Sequence, residues 1–252
     1  MDYHIQHGVC FSVAAGTGRE PHVTRWTSWG HSDLQQSYLM HTDDGTLMVD
    51  PVLPKTSEAL RALKDRAGKV AAIISLSPLH ERNIAEAAKR YRAPVYGPES
   101  AKKTTKYGKK LGLRYDEGDD LPGGVQSVFS GDASGEMWLH WSTPGGQAVL
   151  INADTIYGQN RLGGLGGRSA SYWMQEGGIR LRATGSIKRR EFQTRYSRID
   201  RMEVDLVLNG HNPLPLDEDP KTAIANVLAK GSYEVHPSGV CTFMYLDFAD
   251  ST

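Results

Sequence analysis

Val70-Ala-Ala-Ile-Ile-Ser-Leu76, followed by Ser77-Pro-Leu-His-Glu-Arg-Asn83, is an apolar run that breaks into a polar turn. A run this short and this uniformly apolar reads as a strand covered on both faces. A helix over 82–91 comes next, with Ile84, Ala87, Ala88 and Tyr91 on one face. Ala93-Pro-Val-Tyr-Gly97 then reads as a short strand. Strand, helix and strand in that order predict a βαβ unit.

Upstream, residues 36–42 and 46–50 read as two strands around the turn signal Asp43-Asp44-Gly45, a β-hairpin stopped by Pro51 and Pro54. A helix begins near Thr56, buries Ala59, Leu60 and Leu63, and ends at Gly68. Residues 8–13 form an earlier strand. Downstream, 101–120 is a charged connection rich in Lys and then in Asp and Glu. Strands are predicted at 125–130, 136–142, 147–152, 204–208 and 239–247, with a helix at 220–229. Residues 158–190 are rich in Gly and Arg and show little periodicity.

The chain has 252 residues, which suits one α/β domain over 1–252. Lys plus Arg and Asp plus Glu both total 29, so no global charge draws it to nucleic acid or an anionic membrane. No apolar run is long enough for a membrane helix. The N-terminal stretch lacks a basic region ahead of its short apolar run, so no signal peptide is read there. Cys10 and Cys241 are the only cysteines, which fits a reducing cytoplasm and excludes Cys-x-x-Cys zinc motifs.

Three strand ends carry chemistry. His80 lies just past the apolar run, Asp154 follows Ile151-Asn152-Ala153, and His211 follows Leu208-Asn209-Gly210. Ligands in α/β sheets gather where strands end. No strand leads into a Gly-Lys-Ser/Thr helix, and a Gly-x-Ser-x-Gly nucleophile elbow is absent.

The order of these segments resembles the metallo-β-lactamase superfamily. Gln36 to Pro51 is similar to its opening hairpin, and Ile73 to Gly97 to the segment that carries its His-x-His-x-Asp-His motif. Ser130-Gly-Asp-Ala-Ser-Gly135 sits where the family has Pro-Gly-His-Thr-Pro-Gly, Ile151 to Thr155 where a strand ends in Gly-Asp-Thr, and Asn209-Gly-His211 where it has Gly-His. The resemblance spans residues 30–230 and implies a four-layer αββα sandwich, with a hydrolase-type pocket for a small ester, lactone, thioester or amide. A homodimer is also consistent with it.

The departures alter the chemistry implied. Pro78 stands at the first motif His, Arg82 at the Asp, Asn83 at the last His, and Asp132 at the third-strand His. Proline has no donor atom and a guanidinium repels a divalent ion, so the dinuclear centre is not expected. Three readings remain. In the first, His80, Arg82, Asp132, Asp154 and His211 form a metal-free acid–base site, with Arg82 paired to Asp154 in place of a cation. In the second, His80, Asp132, Asp154 and His211 hold one zinc, iron or manganese ion. In the third, the site binds a ligand or protein partner without catalysis. Asn83, Trp29, His31, Arg168 and Trp173 are the candidate substrate contacts. The last two belong to a basic 161–195 segment that reads either as a lid over the mouth or as a solvated surface. Trp138 and His140 share one strand face and Trp141 the other, with His140 read as structural.

Overall fold

Apolar residues at every second position, on strands covered on both sides, demand a layer on each face of the sheet. The computed structural model meets that demand, and it describes residues 3–6, 9–17, 20–29, 34–100, 113–158, 171–176, 179–184, 188–211, 219–230 and 232–236. The first sheet opens with β1 (Tyr3–Gln6), β2 (Val9–Gly16), β3 (Pro21–Trp29), β4 (Leu34–Thr42) and β5 (Gly45–Val49), each antiparallel to the next. After α1 (Ser57–Ala67), β6 (Val70–Ile74) joins in parallel. So do β7 (Val95–Pro98), which follows α2 (Ile84–Tyr91), and β8 (Leu113–Tyr115).

The second sheet contains β9 (Asp120–Leu121), β10 (Val125–Phe129), β11 (Met137–Ser142) and β12 (Ala148–Ile151). Beyond it come β13 (Ile156–Gly158), β14 (Ser171–Glu176), β15 (Ile179–Thr184) and α3 (Arg189–Tyr196), then a 3-10 turn at Ser197–Arg201. β16 (Leu206–Leu208) returns to the second sheet, parallel to β12, and α4 (Pro220–Lys230) and β17 (Ser232–His236) follow. The strand orders are β1 to β8 in sequence, β16-β12-β11-β10-β9, and a third sheet β13-β15-β14-β17.

The alternation divides the core into three layers. Tyr38, Met40, Leu47, Val49, Ala72 and Ile74 face Met137, Leu139, Trp141, Val149 and Ile151 between the two main sheets. The intervening Leu39, Met48 and Ile73 pack outward on Ala59 and Leu63 of α1 and Ile84 and Ala87 of α2. On the far side Trp138 and Leu150 meet Phe192 and Tyr196 of α3 and Ile224 and Val227 of α4. Helix, sheet, sheet, helix is the expected αββα order. No helix among the described residues is long and apolar enough to cross a membrane.

The local signals read from sequence act as predicted in this half of the chain. Thr56 caps α1 by accepting the Ala59 N–H at 3.2 Å, and Gly68, at φ +56°, ends it by donating to the Lys64 carbonyl. Thr42 pairs with Gly45 across the two-residue Asp43-Asp44 turn. His140 is structural, its Nε2 lying 2.7 Å from the Glu203 carbonyl oxygen.

Other segments depart from expectation. Three strands, β1, β2 and β3, precede the hairpin where the sequence predicts one at 8–13. β3 mixes Val23 and Trp26 with buried Thr24, Arg25 and Ser28, which masks its strand character. The aperiodic 158–190 segment contains β14 and β15, paired in a regular register from Ser171↔Thr184 to Glu176↔Ile179. The end of the basic 161–195 segment is helical, within α3. The charged 101–120 connection includes β8 and the start of β9, while its residues 101–112, the expected strand at 239–247 and Cys241 lie outside the described residues.

Candidate metal centre

Four chain segments converge where the two main sheets end together. β5 leads into Asp50, and the turn after β6 carries His80. The bend after β12 carries Asp154, and β16 leads through Asn209 and Gly210 to His211. Backbone bonds lock the convergence: Gly210 donates to the Ala153 carbonyl at 2.8 Å, and the Gly210 carbonyl accepts from Gln36 N–H at 2.8 Å. Tyr38 ties the sheets again, donating to the Asn209 carbonyl at 2.6 Å while accepting the Asn209 N–H at 3.0 Å. Asn152 holds the bend that presents Asp154. Its amide nitrogen donates to the Leu208 carbonyl at 2.9 Å, and its side-chain oxygen accepts from Ile156 N–H at 2.9 Å.

His80, Asp154 and His211 are all buried, and their ligand-type atoms lie within 4.8 Å of one another. His80 Nε2 is 3.2 Å from the Asp154 carboxylate, and His211 Nε2 is 2.8 Å from Asp154 Oδ1. The two rings meet edge to face with centroids 5.8 Å apart. On its other side His80 places Nδ1 2.6 Å from Asp50 Oδ2. A neutral imidazole carries a single N–H, so a ring facing carboxylates at both nitrogens needs a proton or a metal at the second one. Burial and nearby Arg82 work against charge on this ring. The carboxylates of Asp154 and Asp50 outweigh them and raise its pKa above the ordinary value. Burial pushes Asp154 upward, but the two imidazoles hold its carboxyl well below the usual range.

The donor set fits a metal ion. Two imidazole nitrogens and one carboxylate, with a second carboxylate behind one imidazole, form a zinc-, iron- or manganese-type arrangement with its supporting hydrogen bond. Asp154 Oδ1 adds a specific sign: it is fully buried and near both imidazoles, yet receives no hydrogen bond of acceptable geometry. A buried oxygen left so is what a coordinated ion satisfies.

Other expected residues fall elsewhere. Arg82, at φ +36°, turns its guanidinium to backbone carbonyls, donating to Gln36 at 2.7 Å, Asp50 at 2.8 Å and Gly210 at 3.2 Å. The ion pair anticipated between Arg82 and Asp154 is made instead by Arg182 of β15, with Nη1 3.5 Å from Asp154 Oδ2. Asp132 does not join the trio. Its Oδ2 accepts the Ser134 N–H at 3.0 Å and the Ser134 hydroxyl, and Arg195 lies 3.6 Å from its Oδ1. Asn83 uses its side-chain oxygen to accept the Leu53 N–H at 2.9 Å, pinning the loop before α1 to the start of α2. Trp29 and Trp173 lie on β3 and β14 with their side chains outside the described set, and His31 and Arg168 lie outside it altogether.

Three residues escaped the sequence reading as site residues. Asp50 carried the same signal as Asp154, a carboxylate ending an apolar strand. Arg182 was hidden in the basic segment. Glu136, 1% exposed, sits directly under the Asp154 bend, and burial and the Asp154 charge push its carboxyl up to about 7.

Comparison of the sequence with protein-family models and with curated proteins finds no match. Solved structures do match. A metallo-β-lactamase from Erythrobacter litoralis aligns over 90% of this chain and 97% of its own, at 12% identity and TM-score 0.60. A metallo-β-lactamase from Pontibacter korlensis aligns over 86% and 97%, at 15% identity and TM-score 0.56. The DIM-1 metallo-β-lactamase aligns over 86% and 95%, at 12% identity and TM-score 0.57. At such identities the likeness speaks for architecture alone, and with the layer order and the converging strand ends it establishes that this chain has the αββα fold of the metallo-β-lactamase superfamily.

Proposed function

We propose that the chain is a hydrolase-type enzyme for a small organic molecule, working with one divalent cation held by His80, Asp154 and His211. The fold alone does not decide this, because one scaffold hosts many chemistries. The observation that carries it is the buried Asp154 Oδ1, flanked by two imidazole nitrogens and lacking a directed hydrogen bond. Bound there, zinc, iron or manganese supplies Lewis-acid polarisation of a carbonyl or phosphoryl oxygen. The chain's own residues do the rest. Asp50 fixes the His80 ring so that Nε2 faces the site. Arg182 contributes a second positive charge beside Asp154, available to a developing oxyanion. Arg82 fastens three backbone carbonyls and so braces the frame.

A metal-free acid–base reading rests on a different observation: His80, Asp154, His211 and Arg182 already pair among themselves. In that reading an imidazolium donates a proton and the other imidazole accepts one. Asp132, engaged with Ser134 and Arg195, then takes no part in the proton transfer. Metal content of tag-free protein, measured by plasma mass spectrometry, decides between the two. About one equivalent of zinc, iron or manganese is expected, lost in His211→Ala together with turnover on an ester, lactone, thioester and amide panel. A metal-free protein with turnover intact moves the chemistry to the imidazoles. Ligand affinity that survives in both His80→Ala and His211→Ala, with no turnover by any form, marks a binding protein. On the two cysteines and the balanced charge, we infer a cytoplasmic enzyme, a homodimer or monomer, with no nucleic-acid partner.

A further inference from the structure

Below the bend that presents Asp154 lies a buried carboxyl that the chemistry just described leaves unused. Glu136 precedes β11, and its backbone is pinned on both sides. Its carbonyl accepts from Ser130 N–H at 3.2 Å and from the Ser130 hydroxyl at 2.7 Å, and the next residue, Met137, donates to the Leu76 carbonyl at 2.8 Å. Its side chain meets four donors from three consecutive residues. Oε1 accepts Ala153 N–H at 3.1 Å, Thr155 N–H at 3.3 Å and the Thr155 hydroxyl at 2.7 Å, while Oε2 accepts Asp154 N–H at 2.9 Å. Three successive amides aimed at one carboxyl define the bend as firmly as a strand ladder defines a strand.

The bend is joined to Arg182 through Thr155. The Thr155 carbonyl accepts Arg182 N–H at 2.8 Å and the Tyr196 hydroxyl at 2.9 Å, and the same hydroxyl contacts the Arg182 carbonyl. The Thr155 hydroxyl also accepts Trp138 Nε1–H at 2.8 Å. Asp154 and Arg182, which face each other, therefore hang from one buried network centred on Glu136.

We propose that Glu136 is the positioning residue of this site, fixing the Asp154 carboxylate against both imidazoles and, through Thr155, setting Arg182 beside it. This rests on the single-cation reading for its consequence but not for its geometry. Glu136→Gln is the test, because the amide keeps the shape yet turns one acceptor into a donor facing backbone N–H groups. Co²⁺ is titrated into wild type and variant and followed by visible absorption, and both are crystallised. The expected result is a folded variant with Co²⁺ affinity reduced about 10–100-fold, the range for lost supporting contacts. Its visible bands shift, and the Asp154–His211 contact opens past about 3.2 Å. Unchanged affinity, bands and contact overturn the proposal. Should Glu136→Gln not fold, Thr155→Val removes only the hydroxyl bonds. A smaller loss in the same direction then supports the role, and wild-type behaviour rejects it. If wild type binds no Co²⁺, the single-cation reading falls, and the Asp154–His211 contact in the crystals still decides the role of Glu136.

Discussion

Asp50 holds a left-handed backbone conformation at φ +45°, which costs a non-glycine residue roughly 1–2 kcal/mol. What offsets the cost is visible around it. Its carboxylate accepts Leu76 N–H at 2.9 Å and faces His80 Nδ1 at 2.6 Å, and its carbonyl accepts the Ser37 hydroxyl and Arg82 Nη1, each at 2.8 Å. The strain thus aims one residue at four partners on two segments, β4 and the stretch between β6 and α2. Asp50→Asn keeps the shape and tolerates the conformation, but it removes the charge that orients His80. The expected outcome is a loss of about 3–5 kcal/mol in urea unfolding, the range for a broken buried pair. Metal affinity should fall about 10–100-fold, read by titration with zinc or cobalt. Wild-type affinity in this variant would remove Asp50 from the site. The case also shows which site residues a sequence can reveal. His80, Asp154 and His211 were legible because each ends an apolar run, and Asp50 satisfied the same criterion. Arg82 stood in the motif, yet its own φ of +36° turns it to backbone carbonyls. The arginine that meets Asp154 comes from a strand 28 residues further along, with nothing local to mark it.

At the scale of elements, legibility followed burial on two faces. The hairpin β4–β5, the βαβ unit β6-α2-β7 and the capped helix α1 carry dense apolar patterns or explicit start and stop residues. The α3 segment, Arg-Arg-Glu-Phe-Gln-Thr-Arg-Tyr, buries only Phe192 and Tyr196, one turn apart, and leaves its other residues to solvent or its borders. Two apolar residues in eight give too little periodicity to read, and the charges suggest an exposed loop. These two residues nevertheless seat the helix, with their rings 5.0 Å apart in the outer core and Tyr196 reaching the Asp154 network. Phe192→Ala should therefore cost about 3–5 kcal/mol through the cavity it leaves. Urea unfolding measures this. The His80–Asp154–His211 site of the folded fraction should take up cobalt as wild type does, since Phe192 packs in the outer core with Tyr196, Trp138 and Ile224. A loss under about 1 kcal/mol would mean that α3 is seated by other contacts.

The two main sheets close their apolar faces on each other, so the site lies where their strand ends come together. Gly210 stands at that junction. It donates to Ala153 in the bend after β12, accepts from Gln36 in the first sheet and receives Arg82 Nη2 at 3.2 Å. A Cβ there would lie 2.8 Å from both the Ala153 oxygen and Arg82 Nη2, and 3.3 Å from His80 Cε1. The arginine is a flexible end that can withdraw, but the Ala153 oxygen is backbone and directly precedes Asp154. Gly210→Ala must then push β16 away from β12 or twist the Asp154 bend, and either movement separates His211 from Asp154. Overpacking of this kind costs about 1–3 kcal/mol. The expected signature couples the two effects: a lowered urea midpoint with unchanged slope, together with weaker cobalt binding. Tyr38→Phe provides the contrast. It deletes the hydroxyl that bridges to Asn209 but inserts nothing, so stability falls by about 1–3 kcal/mol while the ligand atoms keep their spacing. If Gly210→Ala matched Tyr38→Phe in both readouts, close approach at residue 210 would be a matter of stability alone, and the spacing of His80, Asp154 and His211 would not depend on how tightly the two sheets meet.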